Sequence, residues 1–214
     1  MDGTYYQCQC FMERELEKAY RYAGIPELYL GKPYNKQNSP EAYNQAREYF
    51  LEFLGEKSKG LIITGNSGTG KSHLASYLTQ CLCKQSIKPK FVNSTSMIND
   101  LRMEKYDRNN YIKDYQFAMS YCLNAEYLII DDLGSEQTTQ ETQLIHFQII
   151  DYRIRNKKPF CITSNKSIKR EDLKQSSILK AIDYRTLSRI LEVCTVIEMN
   201  GNDMRLNKTT GANK

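Results

Sequence analysis

The sequence predicts an α/β fold in which a parallel sheet is sandwiched between helices, with a short helical extension in front of it. Three observations predict it. Short apolar runs at 61–64 (LIIT), 91–93 (FVN), 127–130 (YLII), 160–163 (FCIT) and 195–199 (TVIEM) read as strands, and the first has the uniformly apolar character of a strand buried on both faces. Between them lie stretches with helical apolar spacing, so strand and helix alternate. A glycine-rich loop at 65–72 joins the first strand to a helix.

The elements follow in order. Residues 11–23 (FMERELEKAYRYA) form a charged helix closed by Gly24, with Pro26 just beyond. A turn-rich stretch leads to Pro40, suited to the first turn of the next helix, with Ser39 as its cap. That helix runs to about Leu54 and ends at Gly55. We divide the chain into an N-terminal helical extension or partner segment, 1–38, and the main domain, 39–214. Helix 72–84 places Leu74, Ala75, Leu78, Cys81 and Leu82 on one face. Ser94 or Thr95 caps a helix through Leu101, 105–110 is a polar loop, and 113–123 is helical again. A helix at 140–155 carries Leu144, Ile145, Phe147 and Ile149. The last helix, 184–192, precedes the fifth strand and an Asn200-Gly201 turn.

The 214 residues allow one substantial domain. A hydrophobic fraction of 40% and a charged fraction of 26% are ordinary for a soluble protein. No apolar run approaches the ~20 residues of a membrane span, and the first residues lack the marks of a secretion signal. The expectation is a cytoplasmic protein with no membrane partner. Seven cysteines suggest no disulfide framework. Cys8 and Cys10 form a C-x-C pair, but a structural zinc site needs four ligands and no second pair lies nearby. Cys81 and Cys83 fall on different faces of one helix. The net charge of +5 permits a nucleic-acid partner without demanding one.

The chemistry is concentrated at 65–72. Gly65-Asn66-Ser67-Gly68-Thr69-Gly70-Lys71-Ser72 fits G-x-x-x-x-G-K-[ST] in full. Glycines let successive backbone N–H groups point at phosphate oxygens, and the following helix adds its positive end. Lys71 is expected on the β- and γ-phosphates and Ser72 on Mg²⁺. A second strand must bring a carboxylate to the metal, and 127–132 (YLIIDD) does so at its C-terminal edge. Asp131 is the metal-side acid and Asp132 the general base for the attacking water. Neighbouring strand residues point to opposite faces, so both act only if the chain leaves extended geometry, which Gly134 allows. Capping of the next segment by Asp132 is the plainer alternative.

Two nucleotides compete. Asp131 to Gly134 satisfies D-x-x-G, and Asn165-Lys166-Ser167-Ile168 begins like the guanine-reading N-K-x-D. Ile168 stands where the acid would accept hydrogen bonds from guanine, so adenine, and hence ATP, is the better reading. The same segment, FCITSN, places Asn165 at the end of a strand that can lie beside that of Asp131, within reach of the γ-phosphate or the water.

The combination GNSGTGKSHLA, LIIDDLGSE, ITSN and RTLSRI, closing with NGNDMR, resembles the DnaC/DnaI helicase loaders and the related IstB-type transposition ATPases, members of the AAA+ class. The resemblance covers about 24–206. It implies a P-loop NTPase core of the AAA+ type without a full helical lid, and an ATPase using ATP and Mg²⁺. Asn165 then matches sensor 1, Arg189 an arginine finger that reaches a neighbouring subunit, with Arg185 one turn earlier on the same face, and Arg205 sensor 2. A finger acting in trans implies self-association. The implied partner is a replicative helicase, a DnaB-like hexamer, placed on single-stranded DNA during replication initiation. Family members usually carry a larger, often zinc-binding N-terminal module; here a short helix and the Cys8/Cys10 pair stand in its place.

A DNA-contacting segment is expected at 94–122, where Arg102, Lys105, Arg108 and Lys113 alternate with Tyr106, Tyr111 and Tyr115. Basic groups tracking phosphates beside stacking aromatics suit sequence-tolerant single-strand binding. Asp100, Glu104, Asp107 and Asp114 dilute that charge, so a solvated helix face explains it as well. The sequence therefore supports an ATP-dependent helicase loader. The alternatives are an IstB-type transposition helper on duplex DNA and an adaptor that ATP switches without cleavage.

Overall fold

The computed structural model describes residues 8–56, 59–106, 111–168 and 178–205. Five strands, β1 Gly60–Thr64, β2 Pro89–Asn93, β3 Tyr127–Asp131, β4 Phe160–Ser164 and β5 Cys194–Glu198, pair in parallel in the order β2-β3-β4-β1-β5. Seven α-helices accompany them among the described residues: α1 Gln9–Ala23, α2 Pro40–Glu56, α3 Lys71–Lys84, α4 Ser94–Tyr106, α5 Tyr111–Asn124, α6 Gln140–Arg155 and α7 Tyr184–Val193.

The two-residue period of the strands divides the core. Ile62, Leu128, Ile130 and Ile162 face one side, packed with Ile98 and Leu101 of α4, Met119 of α5, Ile145 and Ile149 of α6, and Leu187 and Ile190 of α7. Leu61, Ile63, Tyr127, Ile129, Cys161 and Ile197 face the other, against Ala42, Ala46, Tyr49 and Phe53 of α2 and Leu74, Leu78 and Leu82 of α3. β1, β3 and β4 are buried throughout, whereas β5, at the sheet edge, is half-open. Buried on both faces, an inner strand has no room for polar alternation.

Helix α1 packs through Tyr20 and Ala23 onto Cys83 of α3. Gly24 ends it in left-handed geometry, φ 82°, bonding back to Arg21 and Tyr20 carbonyls. A Cβ at Gly24 would lie 2.7 Å from the Phe91 carbonyl oxygen, so glycine lets the helix end abut β2.

Several boundaries differ from the sequence expectation. Gly55 lies inside the last turn of α2, because the packing of Phe53 outweighs one residue of weak helix propensity. Helix α4 runs to Tyr106, into the stretch expected to be a loop. Its cap is Asn93, whose Oδ1 accepts the Ser96 N–H at 3.2 Å, while Ser94 turns inward to His146. Asp131 belongs to β3, and β5 ends at Glu198. No helix among the described residues is long and apolar enough to cross a membrane.

Two polar groups hold the interior. Tyr49 and Tyr127 share a buried hydroxyl contact of 2.7 Å, and the Tyr49 hydroxyl donates to the Lys59 carbonyl at 2.9 Å. Arg153, with no solvent exposure, donates to the carbonyls of Cys122, Leu123, Ala125 and Pro159 at 2.6–3.4 Å. It ties the end of α5 to the approaches of β3 and β4. Arg153→Met takes this donor from the Cys122, Leu123 and Ala125 carbonyls, while that of Pro159 keeps the Leu128 N–H, so denaturant unfolding should show a loss of about 3 kcal/mol. Parent-like stability would contradict this role.

Candidate nucleotide site

The C-terminal ends of the strands converge on one cleft. Because β4 lies between β1 and β3, the residue leaving β4, Asn165, stands between the loop after β1 and the acids at the end of β3. This is the edge where α/β sheets bind ligands.

The glycine-rich loop departs from extended geometry at Gly65, Gly68 and Gly70, all at positive φ. It delivers the chain into α3 at Lys71, so the unpaired N–H groups of that helix face the loop's concavity. Thr69 Oγ1 donates to the Asn66 carbonyl at 2.9 Å and closes the loop. Lys71 is only 6% exposed; its Nζ donates to the Gly65 carbonyl at 2.9 Å and the Asn66 carbonyl at 2.5 Å. Burial pushes its pKa down, and the nearby Asp132 carboxylate opposes that shift.

Asp131, 8% exposed, accepts from Thr163 Oγ1 at 2.6 Å. Burial pushes its pKa up, against the hydrogen bonds of Thr163 and Ser72. Thr163 also accepts the Asp132 N–H at 2.8 Å. Asp132 adopts φ 58°, the departure from extended geometry that lets both acids face the cleft. Asn165 Nδ2 donates to Asp132 Oδ1 at 2.7 Å. A carboxylate oriented by an amide, beside a hydroxyl–carboxylate pair and a buried ammonium, can bind a metal-chelated polyphosphate and aim a base at it.

The cleft encloses about 680 Å³ and is lined by Ser67, Gly68, Gly70, Lys71, Ser72, Asp131, Asp132, Asn165 and Arg205. Its far wall comes from Leu28, Tyr29, Lys32 and Asn38, with Tyr29 stacked on His73 at 5.1 Å. Thr163 and Asn93 also line it, and sequence reading missed both. A polar residue closing an apolar strand was the available signal for each.

The segment after β5 lies on the loop. Met199 donates its N–H to the Thr64 carbonyl at 2.7 Å and Met204 to that of Gly68 at 3.1 Å. The Asp203 carboxylate accepts the Arg205 N–H at 2.9 Å and rests where a side chain on Gly68 would be. Arg205 thereby reaches the cleft.

Arg189 is not among the cleft-lining residues. It pairs with Asp151 of α6, which also receives Arg155 at 2.8 Å. Arg185, one turn earlier on α7, is exposed. Arg102, expected to face DNA, donates instead to Thr139 Oγ1 at 2.8 Å, with Glu141 3.6 Å away; a partly buried cation takes the nearest acceptors. The side chains of Lys105, Tyr106, Arg108, Tyr111 and Lys113 lie outside the described residues. Ile168, where the guanine-reading acid would stand, is packed in the core. All seven cysteines are free, and no metal-holding cluster occurs among the described residues.

The family described as IstB-like ATP binding protein matches residues 13–212. The putative ATP-binding protein of insertion sequence IS232 from Bacillus thuringiensis subsp. berliner is 26% identical over 158 residues, 73% of this chain and 59% of that protein. The replicative helicase loader DnaC of Escherichia coli (strain K12) is 24% identical over 167 residues, 73% of this chain and 66% of that protein. The chain thus spans less than two thirds of each relative's length. Among solved structures, that of the DnaC helicase loader superposes with a TM-score of 0.64 at 28% identity, covering 84% of this chain and 98% of the other.

Gly68→Ala forces a side chain into the Asp203 carboxylate at a φ of 75°. Thermal unfolding should show about 1–3 kcal/mol of destabilisation, partly recovered when Asp203→Ala is added. A single variant as stable as the parent would contradict the contact.

Proposed function

This chain belongs to the IstB-like ATP-binding family, and from that premise we propose an ATP-dependent loader that binds a replicative hexameric helicase and helps place it on single-stranded DNA. The observation that carries the ATPase part is the convergence of Lys71, Ser72, Asp131, Asp132, Asn165 and Arg205 on one cleft. The similarity to helicase loaders in sequence and structure supports the choice of partner.

In this reading the loop amides of 65–72 and the start of α3 cradle the phosphates. Lys71 exchanges its two carbonyl partners for β- and γ-phosphate oxygens. Ser72 and Asp131 offer a hydroxyl and a buried carboxylate, the hard oxygen donors that Mg²⁺ takes. A Mg²⁺ held by these two groups would supply positive charge against the negative charge that develops on the phosphoryl group. Asp132, oriented by Asn165, accepts the proton of the attacking water, and Arg205 stabilises charge on the phosphoryl group from the same chain. Arg189 serves a neighbouring subunit, which requires it to leave Asp151 during self-association.

A second reading, a transposition helper acting on duplex DNA, is favoured by the comparable identity to the IS232 protein. Co-elution with the source cell's replicative helicase separates the two. The loader reading expects co-elution that depends on ATP and Mg²⁺ and persists in Asp132→Asn, which should bind ATP but not cleave it. Failure to co-elute with or without nucleotide, together with binding to duplex DNA, would replace the loader reading with the transposition one.

A further inference from the structure

Behind the cleft lies a second, buried polar cluster, none of whose side chains lines it. Glu136 is 7% exposed, and its two oxygens accept the Gly134 N–H at 3.2 and 3.0 Å. Glu136 Oε1 lies 3.7 Å from Nδ1 of His146, a side chain with no solvent exposure. The same Nδ1 is 3.4 Å from the Ala181 carbonyl, and Nε2 is 3.1 Å from Ser94 Oγ. With its hydrogen on Nδ1 the imidazole donates to the Ala181 carbonyl and faces Glu136 Oε1 at contact distance, and the Ser94 hydroxyl donates to Nε2. Burial holds the His146 pKa down, in keeping with that neutral form.

Burying a carboxylate with one amide and one imidazole for company is costly. Its position shows what it restrains. The loop after β3 carries Asp132 at φ 58° and Gly134 at φ 93°. A non-glycine residue in left-handed geometry persists only where its surroundings hold it. Ser135 fixes the first half of the turn through two bonds to the Asp132 carbonyl, at 2.8 and 3.2 Å. Leu133 is held to β4 by its N–H to Thr163 and its carbonyl to Ser164. Glu136 supplies the restraint on the second half, and His146 packs against Glu136. Ala181 lies just ahead of Asp183, the N-cap of α7, so the cluster also touches the turn that leads into the helix bearing Arg189.

We propose that Glu136 and His146 are positioning residues for ATP cleavage: they lock the loop that aims Asp132 into the cleft and join it to the turn that starts α7. This rests on the assignment of Asp132 as general base. The test is steady-state ATP turnover of the full chain at saturating protein, with the Kd of a fluorescent ATP analogue measured in parallel, for Glu136→Ala, Glu136→Gln, His146→Phe and Asp132→Asn. Glu136→Ala should lower kcat by about thirtyfold while Kd stays within about threefold of the parent. Glu136→Gln, which keeps one oxygen for the Gly134 N–H, should lose only about fivefold. His146→Phe should fall between them.

A merely structural role would lower melting temperature and nucleotide binding together, without splitting kcat from Kd; that result overturns the proposal. Glu136→Ala with parent turnover overturns it as well. If Glu136→Ala does not fold, Glu136→Gln decides: a lowered kcat with intact Kd sustains the proposal, and a parent-like kcat ends it. Asp132→Asn separates the two levels. Parent turnover in that variant removes the general-base assignment itself. An inactive Asp132→Asn beside a fully active Glu136→Ala removes only the positioning role.

Discussion

Lys71 and Asp131 carry opposite charges, are both more than nine-tenths buried on the same sheet edge, and are joined by no direct ion pair among the described residues. Each is instead solvated by the protein. Two loop carbonyls receive the ammonium, and the hydroxyls of Thr163 and Ser72 serve the carboxylate. Burial moves both groups toward their neutral forms, the direction desolvation always takes. A ligand that brings negative oxygens to one and a cation to the other relieves both costs at once. A metal-chelated triphosphate has that charge pattern, and the rest of the cleft follows from keeping these two groups apart and ready for it.

The topology provides the separation. With β4 inserted between β1 and β3, Lys71 follows one strand and Asp131 ends another that is not its neighbour, and the intervening strand ends in Thr163 and Ser164 with Asn165 next. Thr163 bonds to Asp131 and to the Asp132 backbone, Ser164 to the Leu133 carbonyl, and Asn165 to the Asp132 carboxylate. Three consecutive side chains at the end of β4 and just beyond it thus set the geometry of both acids. From the other side, the segment 199–205 presses on the loop glycines and carries Arg205 into the cleft.

What could be read from the sequence was what local chemistry encodes. The loop 65–72 has a fixed spacing because backbone amides must converge on phosphate, and the run YLIIDD announces a buried strand ending in acids. The five strands followed from short apolar runs, and most helices from apolar spacing together with cap and breaker residues. What escaped was decided by contacts between distant segments. Thr163 and Asn93 are ordinary strand ends until pairing brings them beside Asp131. The ties of Arg189 to Asp151 and of Arg102 to α6 join residues 38 and 37 positions apart, and no spacing rule reports them. The cleft wall formed by Leu28, Tyr29 and Lys32 likewise depends on how the N-terminal segment folds back. Gly55 misled because glycine marks a helix end only when packing does not carry the helix through it.

The most direct measurement is equilibrium binding of a fluorescent ATP analogue to the intact chain, with and without Mg²⁺, against unlabelled ATP and GTP and for Lys71→Ala. The account predicts saturable binding that Mg²⁺ strengthens, ATP displaces and GTP does not, and that a folded Lys71→Ala lacks. Undiminished binding by Lys71→Ala, or displacement by GTP as readily as by ATP, would contradict the assignment of this cleft.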